Sequence, residues 1–200
     1  MDVIVGWAGF AVGAVGAVLA AVAFWDAVRS RRRLKTIAWE DLQKAARHLA
    51  SKIKNEDFIP DLIIAPGPRG GIVAELVAQQ FTMPPHILVG TTVRAKDADS
   101  WRTPITFVEF PSVKWSVFFP EQVTELCPGS KILLIDDYAR TGESITLISD
   151  WLASCGNDNT NIKTATVAVS EIAIDNQRDP DHHWKRVDSS DFSFPWGAAK

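Results

Sequence analysis

Lys131-Ile-Leu-Leu-Ile-Asp-Asp-Tyr-Ala-Arg-Thr-Gly-Glu-Ser144 is the stretch from which the rest of the chain can be read. Four apolar residues, Ile132 to Ile135, run straight into two carboxylates, Asp136 and Asp137. An apolar run this short, bounded by charge, predicts a buried parallel strand. A polar loop follows, then Thr141-Gly142, then Ile145, Ile148, Trp151 and Leu152 on one face of a helix. Free N–H groups at a helix start attract an anion, and carboxylates at a strand end can grip hydroxyls or a magnesium ion. Together these features suit a sugar phosphate.

A second segment of the same layout lies upstream. Asp61-Leu-Ile-Ile-Ala65 predicts a short buried strand, and Gly71 to Phe81 a helix. Between them, Pro66-Gly-Pro-Arg-Gly-Gly71 packs two prolines and three glycines into six residues, which predicts a constrained loop. A tight strand-to-helix turn would explain the glycines. It would not explain Arg69, which suits an anion site.

Around these two units the pattern alternates. Trp39 to Lys54 has helical periodicity, with Trp39, Leu42, Ala45, Ala46, Leu49 and Ile53 on one stripe. His86 to Val93 reads as one strand after Met83-Pro-Pro85. Arg94 to Pro104 is charged and aperiodic, as a mobile loop would be. Ile105 to Phe110 and Lys114 to Phe119 read as a hairpin about Pro111-Ser112, and Lys163 to Val169 as a further strand. The tail from Asp175 is polar and irregular, with a short strand at Trp184 to Val187. Strands alternating with helices predict an α/β fold, a mostly parallel central sheet with helices on both faces.

The N-terminus has another character. Val3 to Trp25 are 23 residues without a charge, followed by Arg29, Arg31, Arg32, Arg33 and Lys35. A helix of that length reaches roughly 34 Å, enough for a bilayer core of about 30 Å. The acidic start and the basic cluster behind it predict a single transmembrane helix with everything downstream in the cytoplasm, at the inner (cytoplasmic) membrane. The expected organisation is an anchor over 1–28, a basic juxtamembrane linker over 29–38 in contact with lipid headgroups, and one domain over 39–200. Gly9-x-x-x-Gly13 and Ala17-x-x-x-Ala21 have helix-packing spacing, compatible with a homodimer. A net charge of −3 gives no ground for a nucleic-acid partner. Cys127 and Cys155 lack metal-site spacing and read as free thiols. His182-His183 beside Asp181 reads as a polar turn and not a metal site.

Ile132 to Ser144 and Pro68-Arg69-Gly70-Gly71, in this order and each behind a strand, resemble the two signature loops of the type I phosphoribosyltransferases. Within the family the chain is most similar to the bacterial xanthine–guanine enzymes. Thr36 to Gln43, Arg47 to Ser51 and the closing Phe194-Pro-Trp196 carry that likeness. The resemblance covers residues 36 to 196. It implies transfer of ribose 5-phosphate from phosphoribosyl pyrophosphate to a nitrogen base, with Mg2+. It implies that Asp136 and Asp137 take the ribose hydroxyls and the magnesium shell. Ala139, Arg140, Thr141, Gly142, Glu143 and Ser144 would cradle the 5-phosphate, and Arg69, Gly70 and Gly71 the pyrophosphate. The loop Arg94 to Pro104 would close over the site. Phe192 and Trp196 are aromatic candidates for stacking on the base, with Phe194 beside them. Tyr138 is read as a pocket wall.

Three positions depart from the family pattern. The 6-oxopurine enzymes carry an acidic base just before Thr-Gly, where this chain has Arg140, which cannot accept a proton. Their purine-binding lysine has no counterpart in Val169-Ser-Glu-Ile172. The region Trp101 to Leu126 is longer than in the small bacterial enzyme. Two functions are consistent with this pattern. One is an enzyme ribosylating a purine-like base. The other is a sensor that binds phosphoribosyl pyrophosphate or a nucleotide without chemistry and signals through its anchor.

Overall fold

The computed structural model describes residues 35–100, 107–112, 115–188 and 192–198. The expected anchor and most of the basic linker lie outside them, and no helix among the described residues is long and apolar enough to cross a membrane. The centre is a five-stranded, wholly parallel sheet of β2 (Leu62–Ala65), β3 (His86–Val89), β7 (Ile132–Ala139), β8 (Ile162–Ser170) and β9 (His182–Val187), in the order β3-β2-β7-β8-β9. The quoted stretch supplies the middle strand. Ile132 to Ile135 are fully buried because helices cover both faces.

On one face lie α1 (Trp39–Asn55) and α2 (Pro68–Ala78). The stripe Leu42, Ala45, Ala46, Leu49 and Ile53 of α1 packs with Val73, Ala74 and Val77 of α2 against Leu133 and Ile135. Asp41 accepts the Ala38 N–H at 3.2 Å, which fixes the start of α1 and lowers the Asp41 pKa. On the other face α4 (Glu143–Ser154), after the short α3 (Val123–Leu126), sets Ile145, Ile148 and Leu152 against Ile132 and Leu134. Trp151 meets Phe110 edge-on at 5.0 Å. Each such buried aliphatic side chain contributes about 1.5–3 kcal/mol.

Several elements differ from expectation. The stretch His86 to Val93 is two strands, not one. Gly90 breaks it, because a side chain there would meet Phe119 at 2.7 Å and the Pro66 carbonyl at 2.8 Å. After the break, β4 (Thr91–Arg94) leaves the central sheet and joins β6 (Trp115–Pro120) and β5 (Phe107–Pro111) in an antiparallel sheet, order β4-β6-β5. The expected hairpin about Pro111-Ser112 is present. Ala95–Ser100, placed in the mobile loop, is a 3-10 helix; 101–106 lie outside the described residues. The Pro-Gly loop is shorter than expected, because Pro68 opens α2 in the first turn, where an N–H has no intrahelical acceptor to lose. The short α5 (Glu171–Asp175), capped by Ser170, had no clear periodicity.

The tail is ordered. β9 carries His182-His183 as strand residues paired with β8, not as a turn. β10 (Phe192–Phe194) pairs with β11 (Gly197–Ala198) and, in parallel, with β1 (Lys35–Thr36), a strand inside the stretch read as linker. Both cysteines are free, and burial pushes the Cys127 thiol up to about 12.

His182 gives a pH-dependence. It is 5 % exposed, and its Nε2 lies 3.6 Å from Glu56 Oε1, too long for a hydrogen bond. Glu56 instead pairs with Lys163 at 2.8 Å. Burial lowers the His182 pKa more than Glu56 raises it. Protons therefore prefer the unfolded chain, and stability falls as pH drops below the ordinary histidine value near 6.5. Thermal unfolding at pH 7.5 and 5.5 should show a smaller acid loss in His182→Gln than in the unaltered chain. An equal loss would contradict this assignment.

Candidate active site

The C-terminal ends of β2 and β7 and the starts of α2 and α4 converge on a cavity of about 650 Å³. Its floor carries Asp136 and Asp137. One wall is Ala139 to Ile145, the opposite wall Pro66 to Arg69, and the roof Thr92, Ser112, Trp115 and Val117 from the antiparallel sheet. The crevice beyond the strand ends of a parallel sheet is where such folds bind ligands.

The acidic pair lies within β7 and not in the loop after it. Asp137 N–H donates to Asp136 Oδ1 at 2.8 Å. Burial, and next the neighbouring Asp137 charge, hold the Asp136 carboxyl well above the usual range; Arg69 opposes this in part. Burial raises Asp137 too, against the Trp196 indole N–H, which donates to its Oδ2 at 3.1 Å. Among the described residues no ion pair within 4.0 Å reaches either carboxylate. Two buried, mutually repelling oxygen donors fit a hard divalent cation. Two carboxylates are also the number a magnesium ion takes from protein when phosphates supply the rest. Among the described residues no group of three or more His, Cys, Asp or Glu side chains is placed to hold a metal ion, so the rest of such a shell would have to come from ligand and water.

The wall from Ala139 to Ile145 owes its shape to Gly142. Its φ is +71°, and a Cβ there would lie 2.0 Å from the Arg178 carbonyl oxygen. The tight turn opens α4, whose first-turn amides have no intrahelical acceptor and face the cavity. Thr141 and Ser144 line the same wall with Glu143 and Arg140. Ser170 Oγ donates to the Arg140 carbonyl and ties the loop to β8. Ala139 is the last strand residue, paired with Val169.

On the other wall Arg69 lines the cavity, and its Nη1 donates to the Ala198 carbonyl at 3.3 Å. Gly70 and Gly71 do not line it. The Gly71 N–H bonds the Gly67 carbonyl at 2.9 Å, so it is spent on the helix and not available to an anion. Both glycines have a packing reason. A Cβ on Gly70 would meet Asp136 Oδ1 at 2.8 Å, and one on Gly71 would meet Val89 at 3.0 Å. Gly70 thus lets the start of α2 lie directly against the acidic strand.

The aromatic tail is elsewhere than expected. Phe192 is 2 % exposed and edge-on to Tyr138 and Phe194, so it fills the core and cannot stack on a base. Trp196 stacks on Phe194 at 5.0 Å and is edge-on to Trp39 at 5.9 Å. Tyr138 lines the cavity, as read, but its ring belongs to the same aromatic core. A second aromatic residue on the cavity is Trp115, which sequence reasoning missed. A signal existed in Trp115-x-Val117-x-Phe119, whose alternation puts all three on one face of β6.

The model of the phosphoribosyl transferase domain family matches residues 38–199. The chain belongs to this family. The acidic strand end, the Gly142 turn and Arg69 are thus parts of a phosphoribosyltransferase. Three solved structures show how far the fold extends. The purine phosphoribosyltransferase from Pyrococcus horikoshii Ot3 is 18% identical, with a TM-score of 0.59 over 83% of this chain and 95% of that one. A hypothetical protein from Neisseria gonorrhoeae, solved with bound ppGpp, is also 18% identical, with a TM-score of 0.59 over 82% and 90%. The xanthine-guanine-hypoxanthine phosphoribosyltransferase from Helicobacter pylori is 12% identical, with a TM-score of 0.54 over 82% and 94%. At these identities the likeness is one of fold. No curated protein matches the chain in sequence.

Proposed function

We propose that this phosphoribosyltransferase transfers ribose 5-phosphate from phosphoribosyl pyrophosphate to a purine-like base. The observation that carries the reading is the convergence of Asp136, Asp137, Arg69 and the turn Arg140 to Ser144 on one cavity. The purine specificity stated for the Pyrococcus and Helicobacter proteins supports the choice of base. Asp136 and Asp137 would hold Mg2+ and the ribose hydroxyls; the ion would neutralise charge on the departing pyrophosphate. Amides of Glu143 and Ser144 with the Thr141 and Ser144 hydroxyls bind the 5-phosphate, and Arg69 clamps the pyrophosphate in a planar, bidentate manner. As that group departs, the ribose gains oxocarbenium character. The chain's work is to position both reactants and to stabilise charge. The roof carrying Thr92 and Trp115 excludes water. The domain from 39 onward, preceded by the short β1, would sit on the cytoplasmic side of an anchor formed by 1–28. Lipid contacts of the basic linker and pairing of anchors belong to the same reading.

Arg140 favours a second reading, a polyanion sensor. It lies on the cavity where a base-activating carboxylate would be needed. The gonococcal structure holds ppGpp, and a second arginine suits such a ligand better than it suits proton abstraction. The two readings separate in one assay. The fragment from Leu34 onward, with magnesium, phosphoribosyl pyrophosphate and a panel of bases, should release pyrophosphate with at least one base. Tight binding without turnover on any base would leave the sensor. Arg140→Asp should raise the rate with 6-oxopurines about a hundredfold or more, the low end of general-base catalysis. An unchanged or lower rate would show that this position is not the missing base.

A further inference from the structure

The β10–β11 hairpin touches two of the side chains to which binding of phosphoribosyl pyrophosphate is assigned, Asp137 and Arg69. Trp196 donates its indole N–H to Asp137 Oδ2 at 3.1 Å, and two residues on, the Ala198 carbonyl accepts from Arg69 Nη1 at 3.3 Å. The hairpin is anchored apart from the site. Phe192 and Phe194 are each 2 % exposed, and β10 is bonded to β1. Phe194 stacks on the Trp196 ring at an interplanar angle of 7°, and Trp39 meets it edge-on. The indole plane is therefore set by core packing, and its one donor is aimed at Asp137.

We propose that Trp196 is a positioning residue for Asp137, and that the β10–β11 hairpin orients the phosphoribosyl end of the site from behind. The proposal rests on the reading of that site given above. An indole N–H is a donor without a charge. It fixes one carboxylate oxygen and leaves the negative charge, and the other oxygen, for a ribose hydroxyl or a cation. A lysine in its place would form an ion pair and compete with the ligand. The Ala198 carbonyl treats Arg69 in the same way. It takes one N–H of the guanidinium and leaves the others for a bidentate grip on an anion. Both contacts thus restrict rotation without neutralising the group they hold. Pre-orientation of this kind strengthens binding by lowering the entropy lost when ligand arrives.

The test uses the full-length chain in detergent, with phosphoribosyl pyrophosphate and magnesium as the probe. Trp196→Phe keeps a ring against Phe194 and loses the donor. Calorimetry should show binding weaker by up to about tenfold, the cost of re-ordering a side chain that the bond no longer holds. Turnover should fall while the KM for the base stays unchanged. The indole resonance that Trp196→Phe removes from the spectrum of the ¹⁵N-labelled unaltered chain should shift when the probe is added. Phe194→Leu loosens the stack but keeps the donor, and should bind the probe more tightly than Trp196→Phe. Unchanged probe binding in Trp196→Phe overturns the proposal. So does a raised KM for the base alone, which would make Trp196 a wall of the base pocket. Equal losses in the two variants that follow their melting temperatures would mean packing only, and also overturn it. If the unaltered chain itself fails to bind the probe, it is the reading of the site that fails.

Discussion

Asp136→Asn and Asp137→Asn together should abolish pyrophosphate release, by about a thousandfold or more, while making the ligand-free domain more resistant to heat. The two effects have one cause. The carboxylates sit at the buried end of β7 with pKa values raised by desolvation and, at Asp136, by the neighbouring charge. A group whose folded pKa lies above its unfolded value gives stability that is full below the unfolded value and lost as pH rises through the folded one. Burying the two carboxylates therefore costs the fold stability as pH rises, a cost kept for their use. Asparagine removes the repulsion and keeps the shape. It also removes the charge that would meet a cation and the ribose hydroxyls, a loss comparable to deleting a preorganised oxyanion donor or more. Melting curves without ligand should rank the double variant above the unaltered chain. Magnesium with phosphoribosyl pyrophosphate should raise the melting temperature of the unaltered chain only. A variant that melts lower without ligand, or whose turnover falls by less than about tenfold, would contradict the assignment.

Gly142→Ala should be among the most damaging single changes to stability. Two separate costs meet there. The left-handed φ of +71° disfavours any side chain, by about 1–2 kcal/mol. The added methyl would also lie 2.0 Å from the Arg178 carbonyl oxygen and 2.5 Å from its Cβ. Overpacking of this kind costs about 1–3 kcal/mol. The sum, about 3 kcal/mol, corresponds to a fall in melting temperature of about 6–12 °C in a domain of this size. Gly129→Ala separates the two contributions. Its φ of +76° is similar, but nothing lies within 4 Å of the added atom, so only the backbone cost should appear. Equal melting temperatures for the two variants would show that the loop gives way to Arg178 contact. Because the turn opens α4, Gly142→Ala should also weaken phosphate binding, which a structural glycine far from the ligand would not do.

The quoted stretch made the central strand, the acidic pair and the following helix readable because each has a local cause. Burial on both faces demands an unbroken apolar run, and the 3.6 period of α4 marks its inner face. The α2 unit was readable for the same reason, although Pro68 was placed in a loop; a proline can stop a helix or start one, and only the chain before it decides. The division of His86 to Val93 at Gly90 depends on Phe119 and Pro66, residues far away in sequence. The role of Trp115 depends on which face of β6 points to the cavity, and the run Trp115 to Phe119 is nearly all buried, so it shows little contrast between faces. The place of the tail is not legible in sequence because its aromatic residues suit a base and a core equally. Phe192 went to the core because Tyr138, a strand residue of the site, needed cover on that side.

The pairing of β1 with β10 has a consequence for how the chain is made. Thr36 and Ser193, paired in that register and 157 residues apart, meet only when all the residues between them have left the ribosome. Contacts so far apart in sequence are slow to close. The parallel sheet can assemble earlier on its own local crossovers, but the aromatic cover over Tyr138 arrives last. A chain stopped short of residue 192 would have both signature loops in place and no seal over them. Its exposed apolar face would mark it for aggregation or degradation. The pairing of β1 with β10 and the aromatic cover over Tyr138 thus arrive together.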